Sequence, residues 1–284
     1  MLKEEKFITL KDGNTLFASI VETGSPVWLI LTHGLGEHSE RHKYIYKLFS
    51  QYFNICLYDL RGHGRSTGKR AYVDHFSQYT CDLEEVLAFL QNDYAMDRFQ
   101  LIGHSMGGLV VADYLQNYAQ DHFYPDKVFL SAPATGGAGF LGQIMNYTPL
   151  KIMQGLKSLP TSIALKGLID VSKLSHDPRV YEAYVTDDLN SMKVHTKLVF
   201  EILHKARKVF SRPLRAKCDL YCALGSDDQV VNPGATLEYF QDVEKNVNLK
   251  VIEGGYHELH NEIAKYREPY LEFLKNSIME EVFS

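Results

Sequence analysis

The sequence predicts an α/β protein, a doubly wound and mostly parallel sheet broken by one insertion. Three observations carry this. Short apolar runs recur along the chain with helix-like stretches between them. Several of those runs are apolar throughout rather than alternating, as strands buried on both faces must be. The rhythm stops near Ala134 and resumes near Cys218.

Taken in order, Lys3–Leu10 and Thr15–Val21 read as strands around a Lys-Asp-Gly-Asn turn. Further strands are expected at Val27–Thr32, Ile55–Asp59, Phe99–Gly103, Lys127–Ser131, Cys218–Leu224 and Val247–Ile252. Asp82–Tyr94 places Leu83, Val86, Leu87, Leu90 and Tyr94 at a helical period. Met106–Tyr118 and Tyr266–Ile278 are also expected helices. Between Ala134 and Arg212 there are Gly-rich turns and short amphipathic helices but no core strand, and the interval is too apolar for a disordered linker. Residues 1–133 and 213–284 are therefore expected to form the core, and 134–212 an inserted cap. There is no internal repeat.

The 284 residues, 45% of them hydrophobic, suffice for a sizeable core. A net charge of −5 gives no reason to expect a nucleic-acid partner. The first ten residues carry two glutamates and no apolar signal-peptide core, and no apolar run approaches ~18 residues. A cytoplasmic protein is the expectation. Cys56, Cys81, Cys218 and Cys222 are few for this length, and three lie in expected strands, so buried reduced thiols are expected.

The chemistry centres on Gly103-His104-Ser105-Met106-Gly107, between an expected strand and helix. A sharp strand-to-helix turn lifts a serine hydroxyl clear of the sheet, and a Cβ two residues to either side would clash. The helix dipole that starts there favours a developing anion. A serine nucleophile points to acyl transfer to water from an ester, thioester or amide. It needs a base and an acid on loops after later strands, in the order Ser, Asp/Glu, His. Two loops qualify. One holds Asp227 and Asp228 side by side; side chains alternate in an extended stretch, so only one should face the base, and the residues alone leave the choice open. The other holds His257 and His260; His257, beside Gly254 and Gly255, is the better placed base. Oxyanion donors are expected from the N–H of Met106 and of Leu35, in the loop after the Val27–Thr32 strand. Arg61 and His63 read as parts of a structural Gly-flanked loop near the site.

Five segments together resemble the monoacylglycerol lipase and lysophospholipase branch of the α/β-hydrolases: HGLGEHSER at 33–41, YDLRGHGRSTGKR at 58–70, GHSMGG at 103–108, GSDDQVV at 225–231 and GYHELHNE at 255–262. The resemblance spans nearly the whole chain. It implies an α/β-hydrolase fold with an inserted helical cap, and Asp228 rather than Asp227 as the acid. It further implies that Glu37, Arg41 and His260 stand near the polar head of the substrate, with Tyr184 in DPRVYEAYVTDDL at the family's cap tyrosine. That stretch departs from the family at Asp187-Asp188-Leu189, where Asp-Pro-Leu is usual, and about 135–168 has no match.

The implied activity is a serine carboxylester hydrolase, without metal or organic cofactor, cleaving a monoacylglycerol-like lipid through an acyl-enzyme. The alternatives are a lysophospholipase or acyl-thioesterase with the same triad, and a non-catalytic binding protein that keeps the fold. A peptidase rests on fold analogy alone, as no acidic cluster reads as an amine-binding site. Finally, no Asp or Glu occurs from Val128 to Ile169. Within it, a helix capped by Thr148 and Pro149 would align Ile152, Met153, Leu156 and Leu159. Lys193–Lys217 is strongly basic. A cap that lines an acyl tunnel and also rests on a lipid surface is the expectation.

Overall fold

The computed structural model describes residues 3–119, 123–138, 142, 149, 155, 162–168 and 170–280. Of the expected helix from Thr148 to Leu159, all but residues 149 and 155 lie outside the described residues. A main sheet of eight strands is formed by β1 (Lys3–Thr9), β2 (Thr15–Val21), β3 (Val27–Thr32), β4 (Asn54–Tyr58), β5 (Arg98–His104), β6 (Lys127–Ser131), β9 (Asp219–Gly225) and β10 (Asn248–Ile252). Its order is β1-β2-β4-β3-β5-β6-β9-β10. The first two strands pair antiparallel, and from β4 onward the pairs are parallel. This is the α/β-hydrolase fold, and each expected strand is present within one or two residues.

The apolar runs are explained by two covered faces. Along β3, Trp28 and Ile30 join one core cluster, while Leu29 and Leu31 join the other. The first cluster is completed by α2 (Ser77–Tyr94) and α3 (Met106–Asn117), the second by α1 (Tyr44–Phe49) and α7 (Ala264–Met279). Alternate residues of one strand thus serve opposite layers, which is why no polar residue breaks the run. Each fully buried aliphatic side chain contributes about 1.5–3 kcal/mol.

Helix α2 starts five residues before the expected Asp82, at Ser77. Its first turn is set by polar chemistry that an apolar period does not register. The Gln78 Oε1 accepts the N–H groups of Asp74 and His75. Asp82 is buried because Arg61 pairs with it and with Asp12, and His63 is buried with Nδ1 on the Arg61 carbonyl. The loop reading of Arg61 and His63 therefore stands on their contacts.

Between β6 and β9, the described residues include α4 (Pro178–Thr186), α5 (Thr196–Val209) and a ribbon of β7 (Ala164–Lys166) with β8 (Lys193–His195). None of these joins the main sheet. Helix α5 is longer than the short helices expected and packs on the core. Leu198, Leu203, Ala206 and Val209 are buried in the first cluster. Part of the basic stretch is spent on internal ties: Lys205 Nζ lies 2.8 Å from Asp113 Oδ2, and Lys197 Nζ 3.5 Å from Glu201 Oε1. A short helix α6 (Pro233–Glu238) follows β9.

All four cysteines are free thiols. Cys56 and Cys222 are buried as expected, but Cys81 is exposed and Cys218 half-buried. Cys81 lies in the second turn of α2, ahead of the apolar period that the sequence shows from Leu83. Among the described residues, no helix is long and apolar enough to cross a membrane.

Candidate active site

The serine sits at the turn from β5 to α3 with φ 53° and ψ −118°, a region that a non-glycine residue occupies only when its surroundings impose it. The surroundings do so through close approach. A Cβ on Gly107 would lie 2.1 Å from the Thr32 carbonyl oxygen, and one on Gly103 would lie 2.7 Å from that of Gly107. With both positions bare, helix, turn and neighbouring strand close together. The Ser105 N–H donates to Ser131 O at 3.0 Å, which fixes the backbone of the turn.

Two later loops meet it there. His257 Nε2 lies 2.9 Å from Ser105 Oγ, and His257 Nδ1 lies 2.7 Å from Asp228 Oδ2. The other carboxylate oxygen, Asp228 Oδ1, accepts the N–H groups of Val230 and Val231 at 2.7 and 2.9 Å. Asp228 is thereby oriented, Nδ1–H is the donor, and Nε2 is left to accept the serine proton. Ser105, Asp228 and His257 are 8%, 6% and 3% exposed. Asp227 is exposed and accepts from Ser226 Oγ instead. Burial opposes protonation of His257, but the charge and hydrogen bond of Asp228, helped by Glu258 and Glu37, outweigh it and raise its pKa above the ordinary 6.5.

Leu35 and Met106 flank the serine and line the same cavity. Met106 is the first residue of α3, so its N–H has no intrahelical acceptor. The loop that carries Leu35 is held by buried polar groups. The Gly34 N–H donates to Glu37 Oε1 at 2.5 Å, and His33 Nδ1 lies 2.8 Å from the Gly34 carbonyl. His33 Nε2 accepts the Leu60 N–H, and burial lowers the His33 pKa to about 4, so the ring is neutral with its proton on Nδ1.

Two lobes open from Ser105. One is apolar, walled by Leu35, Met106, Val194, Val199, Ile202 and Leu203. The other carries the polar groups, Glu37, His104, Tyr184, His257 and Glu258, set among Leu35, Val171, Leu174 and Val230. Glu37 and Tyr184 thus line the lobe on the far side of Ser105 from the apolar one. Arg41 is tied down. Its Nη2 reaches both oxygens of Glu258 at 2.7 and 2.5 Å, its Nε reaches Glu37 at 3.3 Å, and its guanidinium lies 4.8 Å from the Tyr184 ring centroid. His260 lines neither lobe. It is buried on a single 3₁₀ turn, stacked against Tyr44 at 5.0 Å and close to His42 at 4.6 Å. Burial, with His42 and His104 beside it, holds its pKa well below the histidine range.

Sequence reasoning did not single out Glu258, although it directly follows His257. Its carboxylate is 2% exposed and pairs with Arg41, 217 positions earlier. The signal was a charged residue next to the expected base. Nor did it pair Asp187, at the departure from the family pattern, with a partner: Asp187 Oδ2 lies 2.8 Å from His38 Nε2. Among the described residues, no group of three or more His, Cys, Asp or Glu is arranged to hold a metal ion.

Fold and site geometry together define an α/β-hydrolase with a serine at its elbow, and comparison places it further. The chain belongs to the Hydrolase_4 family, described as serine aminopeptidase S33, whose profile matches residues 27–264. A monoacylglycerol lipase of Mycolicibacterium smegmatis is 27% identical over 238 residues, covering 82% of each chain. An uncharacterised abhydrolase domain-containing protein of Dictyostelium discoideum is 26% identical over 89% of this chain, which spans only 26% of that protein's length. The structure of a Paleococcus ferrophilus monoacylglycerol lipase superposes with a TM-score of 0.77 at 23% identity, covering 92% of this chain and 99% of that one. The chain is a carboxylester hydrolase of this family, and monoacylglycerol lipases are among the relatives it resembles.

Proposed function

We propose that this enzyme cleaves a monoacylglycerol-like lipid to fatty acid and alcohol through an acyl-enzyme on Ser105. The observation that carries the reading is the position of the Ser105–His257–Asp228 chain, where an apolar lobe and a polar lobe meet. An acyl chain fits the first and a hydroxylated head the second.

In this mechanism Ser105 Oγ attacks the acyl carbonyl carbon while its proton passes to His257 Nε2. The carbonyl oxygen becomes an oxyanion received by the N–H groups of Leu35 and Met106. Asp228 holds the tautomer and stabilises the imidazolium. Collapse breaks the bond to the leaving oxygen, which takes the proton from His257. Water then attacks the acyl-enzyme by the same steps in reverse, releasing the acid and restoring the serine. Residues 134–212 act as a cap over the apolar lobe. Contact of this cap with a lipid surface is supported by the exposure of Ile163 (65%), Leu165 and Tyr181.

The test is turnover and labelling together. The parent should react with a fluorophosphonate and hydrolyse monoacylglycerols faster than lysophospholipids of equal chain length. Ser105→Ala should lose on the order of 10⁴–10⁶ of that rate while staying folded. A Ser105→Ala rate within tenfold of the parent rules out the mechanism. Faster lysophospholipid turnover assigns the alternative head group.

A second reading is favoured by one observation. Two carboxylates, Glu37 and Glu258, line this lobe, bridged by Arg41 and, at Glu37, met also by His42 Nε2 at 3.1 Å, so the lobe presents an acidic pair. A protonated amine would complement it, as an aminopeptidase substrate requires. Turnover of an aminoacyl arylamide faster than of any ester would decide for this reading.

A further inference from the structure

We infer that Tyr184 is a positioning residue for the oxyanion donor at Leu35, acting through Gly36. The inference rests on the ester-hydrolase reading above. One end of the donor loop is fixed at Gly34 by Glu37 and His33, and His33 is tied to the core by the Leu60 N–H. The other end is fixed from outside the core. The Gly36 carbonyl accepts two hydrogen bonds, from the Tyr184 hydroxyl at 2.8 Å and from the Ser191 N–H at 2.8 Å. Gly36 has φ +77°, and a Cβ there would lie 2.7 Å from the Tyr184 hydroxyl. The glycine is what lets the two segments close.

The same outer segment also reaches the loop of the base. The Glu258 N–H, next to His257, donates to the Leu174 carbonyl at 2.8 Å. Glu262 accepts both the His176 N–H and the Tyr256 N–H, on either side of that junction. Residues 174–191 therefore bridge the oxyanion loop and the histidine loop, which are otherwise far apart in sequence. An oxyanion donor works only within a few tenths of an ångström of its ideal distance, so a loop held at one end alone would lose stabilisation of the transition state. The Tyr184 hydroxyl has one proton, and Gly36 takes it, which leaves none to donate to a substrate head.

Tyr184→Phe keeps the ring under Arg41 and removes only the hydroxyl. With p-nitrophenyl acetate, kcat should fall roughly three- to tenfold, the scale of one hydrogen bond, at unchanged KM. The affinity for a trifluoromethyl ketone, whose carbonyl oxygen becomes an oxyanion when Ser105 adds, should fall by the same factor. The acid limb of the pH profile should not move. Gly36→Ala, which forces loop and cap segment apart, should bring a loss of the same kind, and the double variant should lose no more than the worse single one. A raised KM for monoacylglycerol alone, with ketone affinity intact, overturns the inference and gives the hydroxyl to the head group. A lowered melting temperature with kcat intact overturns it in favour of a purely structural bond. Turnover that does not depend on Ser105 defeats the ester-hydrolase reading itself, whereas Ser105-dependent turnover indifferent to Tyr184→Phe defeats only this inference.

Discussion

At the scale of single residues, two adjacent carboxylates illustrate how context divides identical chemistry. Asp228 is buried, held by two N–H groups and in contact with His257, while Asp227 faces solvent. Asp228→Asn should lower kcat by on the order of 10³–10⁴, through the wrong tautomer and the lost charge, and Asp227→Asn by less than about tenfold. Steady-state rates of the two variants settle it, and the opposite ranking would mean that Asp227 serves the base. The same pair sets the pH dependence. His257 must be neutral to accept the serine proton, and Asp228 raises its pKa above 6.5. Activity in the free enzyme should therefore fall as pH drops through a midpoint above 6.5. In Asp228→Asn that midpoint should move to lower pH, because the burial that opposes the charged ring is then less compensated. A kcat/KM profile of each protein checks the direction.

At the scale of elements, α5 is the member that gives the apolar lobe its wall. It supplies Val199, Ile202 and Leu203, and it is anchored on the core by polar contacts as well as by its apolar face. Glu201 Oε2 accepts the Phe76 N–H at 3.0 Å, at the start of α2, and Lys205 meets buried Asp113 of α3. Glu201→Ala should strand the Phe76 donor and destabilise the fold by about 1–3 kcal/mol, measured by urea unfolding. It should also raise KM for long-chain esters more than for acetate esters. Unchanged stability would mean that α5 is held by its apolar face alone. This helix was not separately expected, though Leu198, Ile202, Ala206 and Val209 recur at a helical spacing. The dense positive charge of the stretch had drawn attention to a lipid surface, whereas Lys205 in the fold answers a carboxylate inside the chain.

At the scale of the molecule, the number of buried neutral histidines has a consequence for stability. His33 and His63 have pKa values lowered to about 4 and about 3 by burial, and His104 and His260 also lie well below 6.5. The unfolded chain takes up protons at these rings near pH 6.5, and the folded chain does not. Stability is therefore full above about pH 6.5 and falls as the pH drops below it, until about pH 4 where His33 can charge in place. His257 works in the opposite sense. Its raised pKa gives stability that is fully present below about 6.5 and is lost as the pH rises through the folded value, a window above the one in which the four rings act. Urea midpoints should drop steeply between pH 7 and pH 5. A flat profile in that range would show that the four rings are already charged in the fold.

What the amino-acid order determined by itself was everything that local physics decides. Continuous apolar runs marked strands with two covered faces, and their bounds were legible to a residue or two. Gly103 and Gly107 marked the one turn tight enough to raise a serine, because the clash that a Cβ would cause is with Thr32 and with the turn itself. The order of loops pointed to Ser105 and His257, the resemblance pointed to Asp228 over Asp227, and the fold brings these three side chains within hydrogen-bond distance. Tertiary structure alone decided the rest. His260, three residues from His257, turned out to be sealed behind the site, because which face of a short turn is covered depends on Tyr44 and His42 more than 200 residues earlier. Arg41 found Glu258, and Tyr184 and Ser191 both found Gly36, across gaps that no sequence period spans. Pairings of that kind arise from the closing of the whole fold around buried charges and carbonyls, each of which must find a partner once water is excluded.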